Sequence, residues 1–299
     1  MEKIWDWGLE VIRFFQTIKS PAVTAVIGFI SNLGGPAAYI FLLCILLWVY
    51  DQKKGFRLGF ILLFSASVNN ALKFHFNVPR PYTKDPSVGL AVEKSSSTPS
   101  AHAQNSAAFW SYFAFLNPKL RKDSALSIAF GIPFIIGLTR IYLGVHYPSD
   151  VFLGWGIGFG ISVYTIFLSK YAEKILEKMP KMFKILIAAV LVMIFNFFSP
   201  EDTSMQAALF GLCTGYILIT GDKGFDASSG TVLQKIIRSV LGAAVVAALY
   251  YGLKIVLPAE GSTNYQLFKF LRYAVIGFVG TYVLPKLFLL FKLAKPYEV

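Results

Sequence analysis

Residues 124–170 read SALSIAFGIPFIIGLTRIYLGVHYPSDVFLGWGIGFGISVYTIFLSK. Between Ser124 and Ser169 only Arg140 and Asp150 are charged, and both stand near the middle of the stretch. The flanks, 124–144 and 149–169, each approach the roughly 20 apolar residues that carry a helix across a bilayer's hydrocarbon core. Two such helices meeting at a joint that holds Arg140, His146 and Asp150 decide the class. The expected fold is all-α: a polytopic membrane helical bundle with polar chemistry at the ends of its helices.

Outward from this pair, further spans are predicted at 36–50, 58–76, 100–116, 184–199, 204–220, 236–257 and 268–293. Composition agrees: 56% of residues are apolar and 15% charged, against about 45–50% and about 25% in soluble domains. That balance excludes a disordered chain. Two cysteines, Cys44 and Cys213, each within an apolar run, exclude a disulfide-stapled secreted domain.

In a soluble protein a net charge of +12 would suggest nucleic acid, but here the basic residues gather in short loops between spans. They are Lys53, Lys54 and Arg57; Lys119, Arg121 and Lys122; Lys170 to Lys184; Lys223, Lys235 and Arg238; and Lys292 and Lys295. Span lengths put all five groups on one side, the cytoplasmic side by the positive-inside rule, so no nucleic-acid partner is expected. The opposite loop 199–203 carries Glu201 and Asp202 and no base. The start, Met1 to Trp7, is acidic and aromatic rather than basic, so no cleaved signal peptide is expected. Three regions follow: 1–35, interfacial or re-entrant helices; 36–170, the core; and 171–299, additional membrane helices.

Three clusters carry chemistry. They are Lys73 to Pro81, with Arg80; Thr98-Pro99-Ser100-Ala101-His102; and Thr139-Arg140 with His146 and Asp150. The span 58–76 leaves a basic loop and ends at the first cluster. The segment 100–116 begins at the second, and 124–144 ends at the third. All three clusters therefore emerge on the membrane face away from the cytoplasm. Lys73, Arg80 and Arg140 are cations that membrane depth makes expensive unless paired or functional. Thr98 and Pro99 suit the N-cap and first position of a helix, which would leave the N–H groups of Ser100, Ala101 and His102 free for an anion. Three cations and a helix N-terminus describe a phosphate pocket that needs no metal or cofactor. Two histidines can supply a nucleophile and an acid. Asp150, four residues after His146, can hold that imidazole's tautomer.

The pattern Lys73 … Arg80-Pro81, Pro99-Ser100-Ala101-His102 and Arg140 … His146 … Asp150 resembles the type 2 phosphatidic acid phosphatase superfamily over roughly residues 20–170. The resemblance implies a membrane lipid phosphate phosphatase acting on a phosphate monoester or pyrophosphate through a phosphohistidine. It implies His146 as nucleophile, Asp150 as its orienting partner and His102 as the acid. Lys73, Arg80, Ser100, Ala101 and Arg140 would hold the phosphoryl oxygens. Ala101 stands where the family has Gly, and Thr139 where it has Ser. The helices after residue 170 fall outside the resemblance. A lipid phosphotransferase and a lipid-phosphate transporter are the alternatives. The latter is disfavoured because the ionisable residues cluster at helix ends.

Overall fold

A computed structural model describes residues 2–222 and 224–297. Met1 of the acidic start and Lys223 of the basic loops lie outside the described residues. No strand occurs among the described residues; Asp226 and Lys295 form an isolated bridge. The helices are α1 (Glu2–Phe15), α2 (Pro21–Leu33), α3 (Pro36–Ile45), α4 (Gln52–Phe76), α5 (Pro81–Lys84), α6 (Ala101–Phe115) and α7 (Lys122–Leu126). They continue as α8 (Ile132–Tyr142), α9 (Pro148–Glu177), α10 (Lys181–Phe198), α11 (Ser204–Gly221), α12 (Val232–Val256), α13 (Tyr265–Phe278) and α14 (Leu284–Leu290). Among the described residues seven helical segments are long and apolar enough to cross a membrane, so the chain is an integral membrane protein. The expected span 36–50 qualifies only together with α2, from which α3 bends by 47°. The expected span 100–116 is a helix of fifteen residues and falls short of that length.

The chain forms two compact units. The first comprises residues up to Tyr39 together with Val68–Ser169. The second comprises Ile40–Ser67 together with the chain from Lys170 onward.

In the first unit, α1 turns Leu9 and Ile12 onto Val88, Ala103, Ile141, Tyr147 and Val151. Its apolar stripe thus becomes core, with Trp5 stacked on Tyr147. Ser20 caps α2 by accepting from the Val23 N–H, and Pro21 suits the first helical turn. Val23 and Ile27 then pack against Tyr142, Leu143 and Val145. α6 lies close on α9. A Cβ on Gly154 would come within 2.8 Å of the Ser100 carbonyl oxygen, and one on Gly158 within 2.2 Å of the Gln104 carbonyl oxygen. Four glycines alternate along this stretch of α9: Gly154, Gly156, Gly158 and Gly160. Only the first and third make this close approach, because Gly156 and Gly160 face open space.

In the second unit, Trp48 is buried and donates its indole N–H to the Gly280 carbonyl oxygen (2.8 Å). α11 and α13 cross on glycine. A Cβ on Gly211 would meet the Ala274 carbonyl oxygen at 2.1 Å, and one on Gly277 the Ala208 carbonyl oxygen at 2.6 Å. Arg57 pairs with Glu173 at 2.5 Å, and Phe56 stacks on Tyr216.

Candidate active site

The first unit brings the three sequence clusters together. α4 ends with Lys73 in its last turn, and Asn77 leaves the helix at φ +42°. The chain then runs through Arg80 into α5 and an irregular loop, 85–100, that returns over the end of α4. Lys73 is buried. It donates to the Ser96 carbonyl and, at 3.2 Å, to the Ser97 carbonyl, while the Ser96 hydroxyl donates to the Lys73 carbonyl (2.9 Å). Arg80, also buried, donates through Nε to the Ser95 carbonyl (2.6 Å) and through Nη1 to the Val145 carbonyl (2.8 Å). The loop 95–97 therefore fixes two cations at once.

His146 sits in the joint between α8 and α9. The turn that delivers it needs glycine: Gly144 has φ +66°, and a Cβ there would lie 1.9 Å from the Val88 carbonyl oxygen. The His146 ring is 2% exposed. Its Nε2 is 3.3 Å from Nη1 of Arg80, and its Nδ1 is 3.5 Å from Oδ2 of Asp150. A guanidinium can only donate, so Nε2 carries the lone pair and the ring proton stands on Nδ1, toward the carboxylate. Burial pushes the imidazole well below its ordinary pKa, more than the Asp150 carboxylate draws it back. The ring is thus neutral at pH 7, as a nitrogen nucleophile must be.

Asp150, in the first turn of α9, is held from several sides. Oδ2 accepts from the Ser97 hydroxyl (2.6 Å) and the Tyr147 N–H (2.9 Å), and Oδ1 from the Thr98 hydroxyl (2.5 Å). This corrects the expected cap. Thr98 does not cap α6, because its hydroxyl serves the carboxylate; α6 begins at Ala101 with Ser100 as N-cap. The Ser100 N–H donates to the Asp150 main-chain carbonyl (3.0 Å). The N–H groups of Ala101 and His102 remain in the first turn, where a helix offers them no partner of its own.

Arg140 comes from the last turn of α8 and is 4% exposed. Its Nη1 donates to the Ser31 hydroxyl (2.8 Å) and its Nη2 pairs with Glu93. The Arg140 Nε and the Ser100 hydroxyl oxygen are buried without a partner. Lys73 lies within electrostatic reach of Arg80, Arg140, Asp150 and Glu93, and His102 within reach of Arg140, His146, Lys73 and Arg80. The α2–α3 break also reaches this place: a Cβ on Gly35 would lie 3.6 Å from Nε2 of His102. Thr139, by contrast, turns its hydroxyl back to the Ile136 carbonyl of its own helix (2.6 Å). His75, two residues after Lys73, is exposed.

Sequence reasoning did not find Ser31, Glu93 or the carbonyls of Ser95 to Ser97. The serine run beside a known cluster was a usable signal for the last. Ser31, in an apolar helix, offered none.

Residues 54–174 match the PAP2 superfamily, and residues 203–296 match the PAP2 superfamily phosphatase transmembrane extension. Phosphatidylglycerophosphatase B of Bacillus subtilis (strain 168) is 31% identical over 170 residues, covering 53% of this chain and 79% of that protein. A lipid A 1-phosphatase of Rhizobium johnstonii is 32% identical over 126 residues, 39% of this chain and 48% of that protein. The chain thus spans about half the length of this second relative. The crystal structure of a transmembrane PAP2-type phosphatidylglycerolphosphate phosphatase from Bacillus subtilis aligns over 58% of this chain and 89% of its own, with 25% identity and a TM-score of 0.48. One match spans the helices that carry the histidines and another those that follow, and a curated relative is aligned over most of its length; the chain belongs to the PAP2 superfamily and carries that family's transmembrane extension.

Proposed function

We propose that the protein is an integral membrane phosphatase that removes a phosphoryl group from a lipid headgroup by way of a phosphohistidine on His146. One observation carries the reading. Two buried polar atoms without partners, the Arg140 Nε and the Ser100 hydroxyl oxygen, belong to a pocket whose histidine holds its Nε2 lone pair toward Arg80. Groups left unpaired at that cost in a protein interior call for a ligand that pairs them, and a tetrahedral oxyanion does so.

In the first step Nε2 of His146 attacks phosphorus, and the bond from phosphorus to the leaving oxygen breaks. His102 gives that oxygen its proton. Asp150 stabilises the positive charge that develops on the His146 ring, while Lys73, Arg80, Arg140 and the N–H groups of Ala101 and His102 hold the phosphoryl oxygens. In the second step water attacks the phosphohistidine. His102 takes the water's proton, the P–N bond breaks, and inorganic phosphate leaves. These residues supply the charge without a metal. The basic loops support a pocket on the non-cytoplasmic face of the membrane.

The test is phosphate release by the purified protein across a panel of lipid phosphates: phosphatidic acid, phosphatidylglycerol phosphate, an isoprenyl diphosphate and lipid A. Release from at least one, with acid-labile phosphate trapped on the protein during turnover, is the expected result. No release from any, or release that stops with a chelator and returns with Mg²⁺, overturns the reading.

A further inference from the structure

Among the described residues Glu93 is the one carboxylate placed on a cation of the phosphate pocket rather than on a histidine. It pairs with Nη2 of Arg140, whose other terminal nitrogen is on Ser31. Asp150 cannot do the same duty, because its oxygens are taken by Ser97, Thr98 and the Tyr147 N–H on the Nδ1 side of His146. The main chain holds Glu93 in place whatever its side chain: the Tyr82 hydroxyl donates to the Glu93 carbonyl (2.8 Å) and accepts from the Glu93 N–H (3.2 Å). On its outer side Glu93 forms part of the wall of a polar cleft of about 320 Å³, with Asn77, Tyr82, Thr83, Lys94 and Ser95. Arg80 stands in the same wall. The cleft therefore adjoins the phosphate pocket across Arg80 and Glu93.

A charge balance follows. Lys73, Arg80 and Arg140 supply three positive charges, and Glu93 removes one. What remains matches a phosphate monoester, which carries about −1.5 to −2 at pH 7. A diphosphate ester carries roughly one negative charge more, and its second phosphoryl group would extend into a cleft whose wall presents the Glu93 carboxylate beside Lys94, so that the carboxylate offsets the attraction the ammonium would give it.

We infer that Glu93 is a specificity-determining residue that sets the charge capacity of the pocket and selects lipid monophosphates over lipid diphosphates. The inference rests on the phosphate-pocket reading above and narrows it to one substrate class.

The test separates the two. Binding of farnesyl monophosphate and farnesyl diphosphate, which share one tail, is measured in a His146→Asn background that cannot turn either over. Adding Glu93→Gln should shift the Kd ratio toward the diphosphate by about 10-fold or more, since a like charge removed at close range in a partly dry site is worth at least that. Glu93→Asp, which keeps the charge, should leave the ratio within about twofold. A loop that merely loosened would weaken both ligands alike and leave the ratio where it was. Binding of both ligands with an unchanged ratio in Glu93→Gln overturns the role of Glu93 alone. Binding of neither by any variant overturns the phosphate pocket and this inference with it.

Discussion

Both units bury arginine, and both cross helices on glycine, yet they use these features differently. In the second unit some buried polar groups tie one neighbour to the next, and others, such as the Gln206 amide, have no partner. Arg238, fully buried, donates to the Ser229 carbonyl (2.7 Å) and lies over the Phe225 ring, and Trp48 reaches Gly280. In the first unit one guanidinium, Arg80, touches Ser95, Ser96, Val145 and His146, so segments distant in sequence converge on a single point. All three histidines of the chain belong to that unit. A buried cation in a membrane helix is therefore a weak signal by itself. A buried cation whose hydrogen bond fixes the lone pair of a histidine is a strong one.

The contrast breaks hardest at His146. His146→Asn should lower turnover by at least about 10⁴-fold, as loss of a nucleophile does in other covalent enzymes, while the thermal unfolding midpoint stays close to wild type. Measured phosphate release near the wild-type rate would mean that the first unit is no more catalytic than the second.

His102→Ala sharpens the comparison within the site. General acid catalysis is worth about 10²–10⁴-fold, and its need grows with the pKa of the leaving oxygen. The variant should lose most of its rate on phosphatidic acid, whose alkoxide leaves poorly, and much less on a nitrophenyl phosphate. His146→Asn should show no such rescue. A ratio of variant to wild-type kcat/KM that is flat across leaving groups would assign His102 to phosphate binding instead.

The two glycine crossings offer the smallest and most direct contrast. Gly158→Ala and Gly211→Ala place a Cβ 2.2 Å and 2.1 Å from a facing carbonyl oxygen, so each should cost about 1–3 kcal/mol of stability. The first pushes on α6, which carries Ser100 and His102, and should also lower kcat/KM by about 10-fold, since small misplacements of reacting groups are expensive. The second should leave kcat/KM of the folded protein within about threefold, because α11 and α13 carry no group of the site. Equal losses of kcat/KM in the two variants, scored on the folded fraction, would dissolve the distinction between the crossings.

Much of this was readable in the sequence. Long apolar runs with bases in the loops between them give seven of the nine expected spans, with ends displaced by up to eight residues, because the hydrocarbon core imposes length and the loops impose sign. Lys73, Arg80, His146 and Asp150 were readable because each stands at a helix end, where a polar residue beside an apolar run stands out. The partners of Arg140 were not. Ser31 and Glu93 reach it from 109 and 47 residues away, through packing that no local pattern encodes. The cap at Thr98 was misread because propensity sees a hydroxyl before a helix and cannot see the carboxylate that takes it. The second glycine crossing was missed although Gly211 and Gly215 stand four apart on α11, because Gly277, which completes it, lies on α13 and shows no relation to them until the helices pack.

The length of α6 has a consequence for the membrane in which the proposed phosphatase would work best. Fifteen residues rise ~22 Å, against ~30 Å of hydrocarbon in an ordinary bilayer. Held with its Phe115 end at one interface, a helix of that length would leave the end that carries His102 ~8 Å beneath the other, at the depth of acyl chains rather than of headgroups. A lipid can deliver its phosphate there only by sinking or where the leaflet dips. Local thinning around a short helix supplies that dip at a modest elastic cost for each ångström of mismatch. On the proposed function, bilayer thickness would then control turnover alongside headgroup chemistry. A thin membrane would present the pocket at phosphate height, and a thick, ordered one would hide it below the surface a lipid phosphate occupies.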